Sequence, residues 1–189
     1  SCISALKAAG IEITTGVLES DAIVLNACFI KRTRQGVPLF ALKSASSMDG
    51  RIALASGASQ WITGEGARRY GHLLRATHDA ILVGSGTVQA DNPSLICRLP
   101  GFTENTAVQP VRVVLDRRLR IDATAEVVKS ASGVPTWIVT SESADPEKVK
   151  KLQELGVEIL MAEGASDLTF ASVTASLLGE KGLNRVLIE

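Results

Sequence analysis

An α/β fold with a mostly parallel central sheet is predicted by three features of the sequence. From residue 38 onward, short apolar runs rich in β-branched residues alternate with longer segments of helical period, the order expected of βαβ units. The helical segments carry start and stop chemistry, such as Pro146 in a first turn and Gly156 after a last one. With 46% hydrophobic residues among 189, the chain has enough apolar side chains to cover both faces of such a sheet.

The first strand is expected in PLFALKSAS, 38–46, where alternation sets Phe40, Leu42 and Ser44 on one face and Leu39, Ala41, Lys43 and Ala45 on the other. A helix follows from Thr63, read as its N-cap with Glu65 in the first turn, to about Ala76, with Ala67, Tyr70 and Leu74 on its apolar face. AILVG at 80–84, VRVVLD at 111–116 and TWIVT at 136–140 have the length and composition of buried strands. DPEKVKKLQELG supplies the next helix, with Val149, Leu152 and Leu155 inward, and VEILMA, DLTFASVTASLL and RVLIE continue the alternation.

Ahead of these elements lies a helix-like stretch, ESDAIVLNACFIKR, and then KRTRQGVP at 31–38, a polar break containing Gly and Pro that reads as a domain boundary. Two units are expected: 1–35, and 36–189. Glu189 follows a buried-looking strand, so the chain is expected to continue beyond it in the natural protein.

Composition excludes several classes of function. Twenty basic residues balance twenty acidic ones, leaving no overall field to gather nucleic acid or an anionic membrane, so an anionic ligand must be held by local groups. The longest apolar run, AIVLNACFI at 22–30, is broken by Asn26 and falls short of the ~18 residues of a membrane span. The three cysteines are widely spaced without a CxxC pair, which reads as reduced thiols of a cytoplasmic protein, and neither histidine has a carboxylate or thiol at ligand spacing, so no metal site is expected.

The chemistry-bearing residues cluster along the chain. GSGTVQADNPSL, from Gly84, begins like a dinucleotide fingerprint but has Gln89 at the third glycine position, and Asn92-Pro93 ends any helix early. Gly84, Gly86 and Thr87 nonetheless offer backbone and hydroxyl donors suited to a phosphate; a plain strand-to-loop connection is the alternative. Lys43 is a charge in an apolar strand, either snorkelling at a sheet edge or entering a polar site. Trp61, close to hydroxyls and a helix start, suits either packing or a flat heterocycle. Arg117 and Arg118 end the VRVVLD strand, at the edge where open α/β sheets bind ligands, and Arg117 is assigned to a cofactor phosphate.

Taken in order, LKSASSMDGRIA, GASQWITGEGAR, HLLRATHDAILVGSGTVQADNPSLICR, QPVRVVLDRRLRI and VLIE resemble the reductase domain of the riboflavin-biosynthesis bifunctional deaminase-reductases. The resemblance covers about 36–189, and its WITG and DAILVGxGTVxADxPxLxxR signatures are specific; 1–35 look like the tail of the preceding cytidine-deaminase-like domain. The deaminase motifs HxE and PCxxC are absent from this sequence, so zinc belongs only to an upstream domain. The resemblance implies a dihydrofolate-reductase-like fold, and NADPH-dependent conversion of a ribosylamino group to a ribitylamino group on a phosphorylated pyrimidine. It implies cofactor contacts at Ala45, Trp61, Thr87 and Asp91, and substrate contacts at Ser59, Arg75, Leu95, Arg98 and Glu189. Arg75 and Arg98 then suit the sugar phosphate, while Lys43, Asp91 and Glu189 are the candidates for handling protons at a ring-opened sugar, with no assignment among the three. A homo-oligomer is the expected assembly. Two other classes remain open at this point: a same-fold NADPH reductase of a pteridine or other heterocycle, and a non-catalytic α/β binding or oligomerisation domain.

Overall fold

The computed structural model describes residues 2–59, 61–99 and 109–189. Its six strands form one sheet in the order β1-β6-β2-β3-β4-β5, and every neighbouring pair is parallel. They are β1 (Leu39–Leu42), β2 (Ala80–Gly84), β3 (Val111–Leu115), β4 (Thr136–Thr140), β5 (Glu158–Met161) and β6 (Arg185–Ile188). From β1 to β5 the chain steps across the sheet in one direction, and for β6 it returns to insert between β1 and β2.

That reversal distributes the helices. Right-handed crossovers put connections running one way on one face and the returning connection on the other. One hydrophobic cluster accordingly joins Ile81, Val83, Val114 and Ile138 of the sheet to α5 (Ser85–Asp91), α6 (Glu126–Lys129) and α7 (Pro146–Glu154) through Val88, Val127, Val128 and Leu152. The second joins Ala80, Leu82, Val113, Val139, Leu160 and Val186 to α8 (Phe170–Glu180) through Phe170 and Leu178. Side chains that alternate along β2 thus enter two different cores, and all four from Ala80 to Val83 are buried. Each fully buried Ile, Leu or Val contributes about 1.5–3 kcal/mol, so these central strands anchor the fold.

Before the sheet come α1 (Cys2–Ala8), α2 (Glu19–Leu25) and α3 (Ala27–Gln35). The single helix-like stretch of the sequence is divided in two at Asn26, whose side-chain amide turns back to the Ala22 carbonyl, 2.9 Å. Gly36, at φ +72°, ends α3. There α8 packs so closely that a Cβ on Gly179 would overlap the Gly36 carbonyl. The helix is also tied to β6, since Arg32 Nε donates to Asn184 Oδ1 at 2.7 Å and Arg185 Nε to Cys28 Sγ at 2.9 Å.

Several local expectations shift. β1 is shorter than 38–46, and Leu42, at the end of an edge strand, is exposed. The helix α4 (Glu65–Ala76) is capped by Gly64, not Thr63, and has no buried residue; Tyr70 lies outward. Leu155 falls at the C-cap of α7 after its inward stripe has ended and is exposed as well. On α7, Asp145 is the N-cap, accepting from the Glu147 N–H at 3.0 Å, with Pro146 at the first position.

One buried group had no signal in the sequence reading. Arg112 of β3 lies fully inside, donating to the Ser94 and Val134 carbonyls and to the Ser130 and Thr136 hydroxyls. Burial pushes its pKa down to about 10, against the opposing charge of Glu126. Its hydrogen bonds tie the loop after α5 to the start of β4, close to Leu95.

Candidate active site

The site begins with strand register. Leu42 of β1 lies opposite Ile188 of β6, so Lys43 and Glu189 leave the sheet side by side. Their main chains continue the ladder, Lys43 N–H donating to the Ile188 carbonyl at 2.9 Å and Glu189 N–H to the Leu82 carbonyl at 3.1 Å. Because Val186 and Ile188 point into the α8 core, alternation turns Glu189 to the opposite face, towards α4.

Glu189 is held there by Arg75 of α4. The guanidinium makes a two-pronged contact, Nε to Oε1 at 2.8 Å and Nη2 to Oε2 at 2.7 Å, and the Lys43 ammonium stands 3.6 Å from Oε2. The carboxylate is only 8% exposed. Burial acts to raise its pKa, but hydrogen bonding and charge from Arg75, then Lys43, prevail and hold it below the usual carboxylate range. Arg75 also donates Nη1 to the Ile96 carbonyl at 3.0 Å, so three of its five donors are already engaged.

The stripe of α4 that faces the sheet is Ala67, Gly71 and Arg75 with Arg68 and His72, at helical spacing. It stands off the sheet across an open cleft of about 770 Å³, which Lys43, Ala45, Trp61, Arg98 and Glu189 also line. Small residues at 67 and 71 leave the room. Among the described residues, five cationic side chains line the cleft (Lys43, Arg68, Arg69, Arg75 and Arg98) against two carboxylates, Glu65 and Glu189. This is the local positive field a charge-balanced chain needs to hold an anion. Trp61 stands at the cleft, 72% exposed, with the Arg68 guanidinium 4.6 Å from its ring centroid, and Arg68 is pinned by the Thr63 carbonyl at 2.7 Å.

Of the residues singled out from sequence, Lys43, Ala45, Trp61, Arg75, Arg98 and Glu189 meet in this cleft. Gly84, Thr87 and Asp91 lie along the carboxyl end of β2 and α5, beside it in the sheet. A Cβ on Gly84 or Gly86 would meet nothing within 4 Å, so the backbone there is open to an approaching group. Ser59 is exposed and does not line the cleft. The Leu95 side chain sits in the core beneath α5 and α6, and its main chain is at φ +51°, so only backbone remains for a ligand to touch. Arg117 lies at the end of β3, two strand spacings or about 10 Å across the sheet from β6. There it is ion-paired with Asp167, and its Nε is buried without a partner among the described residues.

His72 and Arg68 were missed. Of the face read as Ala67, Tyr70 and Leu74, only Ala67 lines the cleft; the further signal available was its pairing with the small Gly71, which marks the side where α4 leaves space. Among the described residues, no helix is long and apolar enough to cross a membrane.

Comparison with known proteins adds the lineage of this geometry. The family model described as the RibD C-terminal domain matches residues 38–189. The chain is 42% identical over 187 residues to the riboflavin biosynthesis protein RibD of Bacillus amyloliquefaciens, covering 99% of this chain and 48% of that protein. Among solved structures, Acinetobacter baumannii RibD superposes with a TM-score of 0.81 at 36% identity, over 99% of this chain and 49% of that one. A Thermotoga maritima diaminohydroxyphosphoribosylaminopyrimidine deaminase/5-amino-6-(5-phosphoribosylamino)uracil reductase gives 0.76 at 33% identity, over 100% and 49%. The chain thus spans about half the length of the curated relatives it matches.

Proposed function

Because the chain belongs to the RibD C-terminal domain family, we propose that it is the reductase part of a riboflavin-pathway enzyme, reducing the ribosylamino group of 5-amino-6-(5-phosphoribosylamino)uracil with NADPH. The observation that carries this reading is the meeting of Lys43, Arg75, Arg98 and Glu189, from four separate segments, in one cationic cleft beside Trp61. The residues fit such ligands. Trp61 offers a flat face, Gly84 and Gly86 leave backbone open, and the arginines suit phosphate. NADPH supplies the hydride when bound.

The chain's own groups bind, orient and carry protons. Arg98, whose side chain lines the cleft, grips the sugar phosphate, aided by the donors that Arg75 has left after Glu189 and Ile96. The Lys43 ammonium, 3.6 Å from the buried Glu189 carboxylate, donates a proton or hydrogen bond to a sugar oxygen, and Glu189 fixes where that ammonium stands. Thr87 in the first turn of α5 and Asp91 at its last residue orient the cofactor.

Turnover of the phosphorylated pyrimidine by the intact natural protein, followed as NADPH consumption with the ribityl product identified, tests the proposal; absence of turnover by folded protein overturns it. Within it, Arg98→Ala is expected to raise KM about ten- to a hundredfold, the scale of one charge-assisted contact of about 1.5–3 kcal/mol, and to affect a dephosphorylated analogue less. An equal loss with both would remove Arg98 from the phosphate.

Cofactor choice provides a second expected result. Arg117→Ala should reduce the preference for NADPH over NADH about tenfold, because a 2′-phosphate at the end of β3 would take the guanidinium from the exposed Asp167 carboxylate. Unchanged kcat/KM ratios for the two cofactors would move the 2′-phosphate elsewhere.

A further inference from the structure

We propose that His72 is a positioning residue that sets the phosphate-gripping arginine: its neutral imidazole holds the main chain at Arg98 and thereby aims the Arg98 guanidinium into the cleft. The inference rests on the functional reading above. The stretch 96–98 lies outside the strands and is stitched to its surroundings by side chains. Gln109 brackets Cys97, its Oε1 accepting from Cys97 N–H at 2.8 Å and its Nε2 donating to the Cys97 carbonyl at 3.2 Å. The Cys97 thiol donates to the His72 carbonyl at 3.3 Å, and Arg75 Nη1 to the Ile96 carbonyl at 3.0 Å. At Arg98 itself, the contact to α4 is the backbone N–H donated to His72 Nδ1, 3.2 Å.

An acceptor at Nδ1 requires that nitrogen to be unprotonated, so the ring proton sits on Nε2. A neutral imidazole, with its acceptor at Nδ1, is thus matched to a loop that presents an N–H at 98. The surroundings keep the ring in that state. Burial, then the charges of Arg75 and Arg98, hold His72 below the ordinary histidine range against the opposing pull of Glu189 and the Ile96 carbonyl. A protonated ring would lose its acceptor and add a positive charge between two arginines.

Two near-isosteric variants separate positioning from general packing. Asn at 72 places its Oδ1 close to where Nδ1 lies and can still accept from Arg98 N–H, whereas the amide of Gln reaches the Nε2 position instead. With the intact protein and ribose 5-phosphate as the probe, His72→Gln should weaken calorimetric binding about threefold to tenfold, the effect of one neutral hydrogen bond, while His72→Asn stays within about twofold of wild type. In turnover the Gln variant should raise KM with little change in kcat. In the Arg98→Ala background the Gln substitution should add nothing further. Equal effects of Asn and Gln, no effect of either, additivity with Arg98→Ala, or wild-type protein that does not bind the probe would each overturn the proposal. Binding that follows this pattern in a protein without pyrimidine turnover would keep the role of His72 and sink only the reductase reading.

Discussion

Replacing Glu189 with Gln is expected to lower kcat by about 10²-fold or more, the usual scale for a lost proton-handling group, while the protein still folds. The carboxylate is the common partner of two cations, Arg75 at 2.7–2.8 Å and Lys43 at 3.6 Å, inside a cleft where it is 8% exposed. Gln keeps its shape and one acceptor but removes the negative charge, leaving the two cations to repel each other. Lys43 then loses its carboxylate neighbour, and Arg75 loses its two-pronged anchor. Removing one member of a buried pair costs up to about 3–5 kcal/mol; with a hydrogen bond retained and Lys43 a third exposed, about 1–3 kcal/mol is the expected loss here.

The pH dependence of that loss gives an independent check. The folded-state pKa of Glu189 is lowered, so its contribution to stability is fully present above the ordinary carboxyl value of about 4.3 and is lost as pH falls through the folded-state value. Wild type and Glu189→Gln should therefore differ most near neutrality and converge in acid, measured as thermal midpoints across pH 3–7. A difference independent of pH would show that shape, rather than charge, is what Glu189 contributes. Near-normal turnover in the folded variant would show that Lys43 acts without the Glu189 carboxylate.

Much of this was legible because parallel strands declare themselves. AILVG and TWIVT coincide with β2 and β4 to the residue, since a short apolar, β-branched run bounded by loop residues marks a strand buried on both faces. Edge and surface elements were less legible. β1 stops at Leu42 because only β6 pairs with it, and α4 could not be oriented because a helix roofing an open cleft has no buried stripe to advertise. Periodicity assigns the apolar residues of such a helix inward, yet here the inward stripe is small and cationic, and Tyr70 faces out. The convergence of Lys43, Arg75 and Glu189 depends on β6 returning between β1 and β2, a non-local pairing that local patterns do not encode. For the same reason Arg112 went unnoticed, since its partners at 94, 130, 134 and 136 are distant in sequence.

Asp91→Asn is the sharpest remaining experiment, because the structure separates its two readings. A purely architectural Asp91 would cap the turn at Asn92-Pro93, yet that turn is held by other means. Asn92 itself adopts the left-handed conformation at φ +42°, its N–H reaches the Val88 carbonyl at 3.0 Å, and its Oδ1 accepts from the Glu126 N–H at 2.8 Å. Asp91 is the exposed last residue of α5 and makes no hydrogen bond or ion pair among the described residues. A carboxylate at a helix C-terminus is, if anything, mildly unfavourable, by about 0.3–1 kcal/mol. Its neutralisation should accordingly leave the thermal midpoint unchanged or slightly raised. If the carboxylate orients the cofactor or relays a proton, turnover should nevertheless fall about 10²-fold, so that activity and stability move independently or in opposite directions. Activity within about twofold of wild type would confine the chemistry to the Lys43, Arg75 and Glu189 cluster. A large loss in kcat with cofactor affinity intact would place Asp91 at the reacting centre, and a loss confined to cofactor affinity would make it an orienting contact only.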